Sequence, residues 1–404
     1  MTTPPALAPL TLHLSEYETL NLPQTQLPPW VGEQLWRSLD QAGKKLLVTF
    51  PSPKTDGQWQ LTAQGWVGQV QIPHQLALTI SPKLPIHRLF ELWEMAYDLR
   101  LAELGEGVTA VSSIPEFFSI LAHILAQRVI RRGRQGFQRA YLRKTAELPY
   151  VRGKLLPPKP GTATPQLLCR YDAHTADIAD NQIVAFTLNQ IARSGQCNPA
   201  AQTAVRQAYH LLQPLVTVRP FQPRDCQNRS YSRLNQDYAT LHALCRFFLE
   251  QTAPLLANGQ HQMIPFLLNM ALLYERCVAN WLQANLPAPY QIKAQESTTV
   301  GPQDELRFQI DLTLYDGNGR PLAVLDTKYK TPDKPSQADI SQVITYAKAK
   351  GCQHALLIYP QPLAQPLHVL VGDVHLHTLS FGLGQPLDAA GANFLQQLQQ
   401  RLHF

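Results

Sequence analysis

The stretch LRFQIDLTLYDGNGRPLAVLDTKYK at residues 306–330 reads as two strands joined by a tight turn. In FQIDLTLY, Phe308, Ile310, Leu312 and Leu314 alternate with Gln309, Asp311 and Thr313, the two-residue period of a strand with one apolar face. DGNGR, residues 316–320, supplies the Gly and Asn that tight hairpins need. On the returning strand, Asp326 and Lys328 are two residues apart and so point the same way. The hairpin predicts Asp311 beside Asp326, with Lys328 one position further along.

Outward from the hairpin, IPFLLNMALLYERCVANWLQANL (264–286) reads as one long apolar helix carrying Glu275, an acid that is costly there without a partner. SQADISQVITYAKAKG (336–351) reads as a second helix, and HALLIYP (354–360) as a strand. Helix, hairpin, helix and strand around one sheet predict a C-terminal α/β domain with a mixed central sheet over residues 263–404. Gln342 and Tyr346 are four residues apart on one helix face. They face either the lysine or a backbone phosphate, or else Tyr346 enters the core and Gln342 faces water.

Two carboxylates and an ammonium at one strand end suit phosphodiester hydrolysis. Paired carboxylates bind a hard cation such as Mg2+, which polarises phosphate and lowers the pKa of a bound water. A lysine orients that water and offsets charge in the transition state. Asp311 and Asp326 are the candidate metal ligands, with Glu275 joining directly or through water. The plainer alternative makes Asp326 and Lys328 a strand-end ion pair, Asp311 a solvated acid and Glu275 a helix-surface acid.

Upstream, residues 10–82 are mostly β: KLLVTF, GQWQLTA, GWVGQVQI and LALTIS are short, rich in β-branched and aromatic residues, and divided by Pro, Gly and Asp turns. HRLFELWEMAYDLRLAEL follows as a helix, with Leu89, Trp93, Ala96 and Leu99 at helical spacing. These form an expected β-rich N-terminal domain over 1–112. A mainly helical region is expected over 113–262. The chain as a whole is expected to be a multidomain α+β protein.

The net charge of +6 is uneven: residues 128–159 hold ten Arg or Lys against one acid, Glu147. Arg131, Arg132, Arg134, Arg139, Arg143, Lys144, Arg152 and Lys154 are the candidate contacts to a polyanion or a partner protein. A solvated helix face is the competing explanation. PPKPGTATP (157–165) next to them reads as an exposed connector.

The composition narrows the class. The chain has 404 residues, 45% hydrophobic and 16% charged with 33 prolines, which favours globular domains with rigid turns over disorder. Six scattered cysteines without a Cys-x-x-Cys pair argue against a finger-type zinc site and a disulfide framework, and fit a reducing cytoplasm. Neither a signal peptide nor a membrane-spanning apolar run is read. His375 and His377 share a strand face but lack a third ligand in sight. AGKKLL and VRGKLL lack the upstream Gly and following hydroxyl of a P-loop, so no nucleotide site of that kind is expected in this chain.

The order Glu275, Ile310-Asp311, Asp326-Thr327-Lys328 and Gln342-x-x-x-Tyr346 resembles the PD-(D/E)xK nuclease superfamily, with Ile310 where the name places Pro. FLLNMALLYERCV, VLDTKYK and ADISQVITYA are similar to successive blocks of the McrC family. VGQVQIPHQLALTISPKL, AELPYVRGKL and CRYDAHTADIADNQIVAFTL also resemble McrC segments, so the likeness spans about Val67 to Tyr359. The first sixty-odd residues show no clear match.

The resemblance implies a restriction-endonuclease-like C-terminal domain and a Mg2+-dependent (or Mn2+-dependent) endodeoxyribonuclease subunit. It would act on double-stranded DNA with a separate McrB-like AAA+ GTPase in restriction of modified foreign DNA. In that family the N-terminal part docks on the motor ring and stimulates it. Two alternatives stand beside this: a docking adaptor that stimulates a motor with little nuclease activity of its own, and a stand-alone repair nuclease.

Overall fold

The computed structural model describes residues 10–41, 43–72, 75–99, 113–157, 166–251, 264–300 and 305–402. Lys159 of the basic stretch, residues 158–165 of the connector and the boundary expected at 262/263 lie outside the described residues. The chain divides into two compact units, Met1–Ile114 with Leu255–Phe404, and Pro115–Pro254.

The first elements are β1 (Leu10–Ser15), β2 (Thr19–Pro23), α1 (Pro29–Leu35), β3 (Leu46–Thr49), β4 (Gln58–Ala63), β5 (Trp66–Ile72), β6 (Leu76–Ser81) and α2 (Ile86–Tyr97). There follow α3 (Ile114–Gln135), β7 (Ala140–Leu148), β8 (Lys154–Leu155), β9 (Leu167–Thr175), α4 (Ala179–Ser194), α5 (Pro199–Leu212) and α6 (Asp237–Gln251). Last come β10 (Ile264–Asn269), α7 (Met270–Asn285), β11 (Gln291–Val300), β12 (Leu306–Tyr315), β13 (Pro321–Thr327) and α8 (Gln337–Lys350). They are joined by β14 (His354–Tyr359), β15 (His368–Val371), β16 (Val374–Ser380) and α9 (Leu387–Leu402).

In the first unit, β1-β6-β5-β10 form one sheet, with β1 parallel to β6 and the other pairs antiparallel. A second antiparallel sheet, β2-β4-β3, shares its core. Alternate strand residues Leu12, Leu14, Leu61, Leu78 and Ile80 turn inward with Trp59, against Val31 and Leu35 of α1. Full burial of each such side chain contributes about 1.5–3 kcal/mol.

The expected long helix over 264–286 is divided. Its first residues are strand β10, which pairs with β5, and the helix starts only at Met270. An apolar run has no period that separates buried strand from helix. Two local features make the choice. Gly68 lies opposite Leu267 with φ 145°, and a Cβ there would come within 2.0 Å of the Phe266 carbonyl oxygen, so β10 approaches β5 as only glycine permits. Asn269 then caps α7, its Oδ1 accepting from the Leu272 amide at 3.1 Å.

The C-terminal part of this unit holds a mixed sheet in the order β11-β12-β13-β14-β16-β15. The hairpin β12–β13 is antiparallel, β13–β14–β16 are parallel, and β15 is an antiparallel edge. In the turn between β12 and β13, Asp316 Oδ1 accepts from the amides of Asn318 and Arg320 at 2.9 and 2.8 Å. Val343 and Ala347 of α8 pack with Ile310, Val324, Ala355 and Leu357. Leu312, Thr313 and Leu314 are all fully buried, so both faces of β12 are covered at that depth. The expected polar face of β12 therefore ends at Asp311, and Thr313 belongs to the core.

In the second unit, α4 lies against α5 and α6, and Phe117 and Phe118 of α3 pack edge-on against Phe247 and Phe248 of α6. The region read as mainly helical also contains a small antiparallel sheet, β7-β9-β8. β7 and β8 are exposed along most of their length, while β9 buries Cys169 and half-buries most of its other residues. Only a weak apolar period, carried largely by small residues, therefore marks the sheet in the sequence. Among the described residues, no helix is long and apolar enough to cross a membrane.

Candidate active site

β12 and β13 pair Leu312 with Leu325, so Asp311 stands opposite Asp326 at the open end of the hairpin. Thr327 fixes Asp311, its amide and hydroxyl donating to Asp311 Oδ2 at 3.0 and 3.2 Å. The Lys328 amide donates to the Ile358 carbonyl at 2.8 Å, carrying the ladder with β14 past the end of β13. Lys328 Nζ lies 2.6 Å from Asp326 Oδ2.

α8 closes the other side. Its N-cap Ser336 accepts from the Asp339 amide at 3.2 Å, and Gly351 ends it in a left-handed conformation. Gln342 Oε1 accepts from Lys328 Nζ at 3.0 Å, and Gln342 Nε2 donates to the Tyr346 hydroxyl at 2.8 Å. Tyr346 also sets its ring edge-on to Phe308, with centroids 5.9 Å apart. The two residues therefore form a relay behind the lysine, one end of which packs on the core.

Glu275 projects from α7 into the same region. It receives a short hydrogen bond from Gln295 Nε2. Gln295 faces Asp311 at a break in the β11–β12 ladder and has a left-handed φ of 53°, an uncommon conformation for a non-glycine residue.

Sequence reasoning missed Gln295, whose conformation leaves no trace in composition. It also missed Asp339, a buried acid whose Oδ2 lies 2.5 Å from Lys330 Nζ and whose Oδ1 lies 3.9 Å from Lys328 Nζ. A signal for Asp339 exists: Ser336-x-x-Asp339 is a helix start, and Asp339 lies three residues before Gln342 on the same face.

Burial and mutual repulsion set the charges. Burial, then the neighbouring Asp311 charge, pushes Asp326 up to about 6 despite Lys328. Burial and the Asp311 charge push Glu275 up to about 7. Asp311 is also raised, by burial, against the opposing Thr327 hydrogen bonds and Lys328 charge. Burial alone would lower Lys328, but the Asp326, Asp339 and Asp311 carboxylates hold it above its usual range. Lys328 is thus a cation at neutral pH, a donor and not a base.

The donor set fits one hard cation. Asp326 is 1% exposed; the Lys328 ammonium lies 2.6 Å from its Oδ2, and its Oδ1 has no hydrogen-bond partner among the described residues. Thr327 engages only Oδ2 of Asp311, which leaves Oδ1 as the available oxygen. Among the described residues, no three His, Cys, Asp or Glu side chains form a ready-made metal cage. Two carboxylates with several waters is how Mg2+ is ordinarily held, so Asp311 and Asp326 suit it, with Glu275 reaching through water.

The other expected contacts are dispersed. Arg131 and Arg134 are exposed near the end of α3, and Arg139 is exposed in the link to β7. Arg132 instead pairs with Asp237 at 3.3 Å and covers the Tyr238 ring, which makes it part of the second unit's packing. Arg143 and Lys144 on β7 and Lys154 on β8 are exposed, Arg143 pairing loosely with Asp172. Arg152 lies over Tyr171 at 4.2 Å. His375 and His377 join His354 and His368 in a group of facing rings whose neighbouring centroids are 5.3–6.3 Å apart, two partners that sequence spacing did not indicate.

Residues 61–360 match the family described as McrBC 5-methylcytosine restriction system component. Among solved structures, the chain is similar to one in the refined half-complex of Thermococcus gammatolerans McrB AAA+ hexamers with bound McrC. That match has a TM-score of 0.55 and 18% identity, and covers 96% of this chain and 99% of that one. A second match, in the cryo-EM structure of the Thermococcus gammatolerans McrBC complex, has a TM-score of 0.45 and 17% identity, covering 69% and 88%. At 18% identity the first of these likenesses speaks for the fold alone. No curated protein matches the chain.

Proposed function

This chain belongs to the family of McrBC 5-methylcytosine restriction system components, and we propose that within it the chain is the McrC-like nuclease subunit. It hydrolyses phosphodiester bonds of double-stranded DNA with Mg2+, through a PD-(D/E)xK-type site, and works in the cytoplasm with a separate McrB-like AAA+ GTPase. The observation that carries this reading is the buried Asp326 carboxylate facing Asp311, paired with Lys328 through Oδ2 and with its Oδ1 left without a partner among the described residues.

The bound cation would supply a polarised phosphate and a water of lowered pKa. Thr327 keeps Asp311 turned to the site, and burial leaves the Lys328 ammonium as the donor at Asp326. Lys328 donates a hydrogen bond to the attacking water or a phosphate oxygen and balances the charge that develops there. Gln342 and Tyr346 hold the ammonium in place. Replacing Lys328 by Ala should lower cleavage by at least about a hundredfold, while leaving DNA affinity near that of the wild type. Undiminished cleavage would refute the assignment.

The exposed sheet β7-β9-β8 favours a second role alongside the first. Tyr141 and Val151 are 73% and 62% exposed next to Arg143, Lys144, Arg152 and Lys154, a surface suited to the AAA+ partner or to a DNA backbone. Nucleotide turnover by the partner, measured with and without this chain, tests the adaptor role. An unchanged rate would exclude it.

A further inference from the structure

Just beyond Lys328, the first unit contains a cavity of about 1170 Å³ that the proposed chemistry does not use. Tyr329 and Lys330 form part of its wall, so it begins one residue past the lysine. Its size exceeds the roughly 300–1,000 Å³ of sites for single small molecules. A segment of polymer fits it better than one metabolite.

Four features of the wall point to a ligand. Asn393, Gln396, Gln397 and Gln400 recur at helical spacing along α9 and line one side with amides, groups able to donate and accept. Tyr17 is 44% exposed on the wall, with the Lys83 ammonium 5.4 Å from its ring centre. Glu16 is 1% exposed, and while its Oε2 takes the Lys83 amide at 2.8 Å and the Tyr329 hydroxyl at 3.3 Å, its Oε1 has no partner. Gly382 and Gly384 also line the cavity. Neither has a left-handed φ, and a Cβ on Gly384 would meet nothing within 4 Å. Neither conformation nor protein packing requires glycine there, whereas close approach of a ligand to the backbone would.

We propose that this cavity receives unpaired nucleotides of the DNA strand adjacent to the phosphate being cut. The aromatic ring offers a stacking surface, the Lys83 ammonium offsets phosphate charge, and the amides of α9 meet base edges. The chain runs from Lys328 directly into the cavity wall at Tyr329 and Lys330, which favours nucleic acid over a protein segment. The inference rests on the nuclease reading, since it needs DNA at Lys328.

The test is equilibrium binding of the full chain in metal-free buffer, so that no cutting occurs. The probes are a labelled blunt duplex and the same duplex with a short single-stranded tail. Wild type should prefer the tailed probe by about tenfold, the scale of one or two stacked bases. Gly384→Leu, which fills space that no protein atom occupies, should remove that preference and leave blunt-duplex affinity unchanged. The double variant Gln397→Ala/Gln400→Ala should reduce the preference too.

Equal affinity of wild type for both probes, including no binding to either, would overturn the proposal, as would a preference that survives in both variants. Association with the AAA+ partner that weakens in Gly384→Leu while tailed-DNA binding does not would assign the cavity to a protein segment, again overturning it. Failure of the nuclease reading shows elsewhere, as Mg2+-dependent cleavage that persists without Asp326.

Discussion

The Lys328 ammonium sits 2.6 Å from Asp326 Oδ2, two residues back along the same strand end, in a place where Asp326 is almost wholly buried. The pair is therefore charged on the lysine side and reluctantly charged on the acid side. A cation beside the carboxylates relieves that imbalance, and a solvated surface pair would not have it.

Stability should report the imbalance directly. A carboxyl raised from 3.8 to about 6 holds its proton in the folded chain after the unfolded chain has lost it. Metal-free stability therefore falls as pH rises from about 4 to 6, and above that the full cost remains, on the order of 3 kcal/mol. Asp326→Asn should raise the melting temperature at neutral pH without metal. Mg2+ should stabilise the wild type but not the variant, as thermal denaturation at several Mg2+ concentrations will show.

Cleavage should depend on pH in a set direction. Asp326 at about 6 and Glu275 at about 7 must shed protons to take a cation. The rate should rise through pH 6–7 and then level, with higher Mg2+ moving the rise to lower pH. Lys328 is held above its ordinary 10.5, so no fall is expected below about pH 10. A single-turnover pH profile that declines between 6 and 8 would contradict this ordering of charges.

The relay behind the lysine should matter through position. Gln342 accepts one hydrogen bond from Lys328, a bond to a charged group worth about 1.5–3 kcal/mol. Gln342→Ala should lower kcat by roughly tenfold to a hundredfold with little change in KM, and Gln342→Glu, which keeps the acceptor, should recover part of it. Equal loss in both variants would point to a fold defect instead.

Gly68 lies far along the chain from the carboxylates but governs where α7 begins. A Cβ there would meet the Phe266 carbonyl oxygen at 2.0 Å. Gly68→Ala should destabilise the chain by about 1–3 kcal/mol and reduce cleavage by displacing Glu275. Denaturant unfolding and a cleavage assay on the same preparation measure both effects.

The hairpin was legible because alternation and the Gly-Asn turn act locally: Asp311, Asp326 and Lys328 meet as the two-residue period requires. The division of 264–286 was not, because Phe266, Leu267 and Leu268 suit a buried strand as well as a helix, and the deciding contact comes from Gly68, almost two hundred residues away. β7 and β9 escaped because their alternation is weak, carried in part by small residues such as Ala140, Ala146, Cys169 and Ala173, and little of β7 is buried. Asp339 was hidden in plain view, its capping role masking its approach to Lys328 and Lys330.

The most direct measurement is Mg2+-dependent cleavage of methylated and unmethylated plasmid by wild type and Asp326→Ala, each with and without the AAA+ partner and its nucleotide. The account predicts cutting of the methylated plasmid by wild type with partner, nucleotide and Mg2+ together, and none by Asp326→Ala under the same conditions. Equal cutting by the two proteins would contradict it.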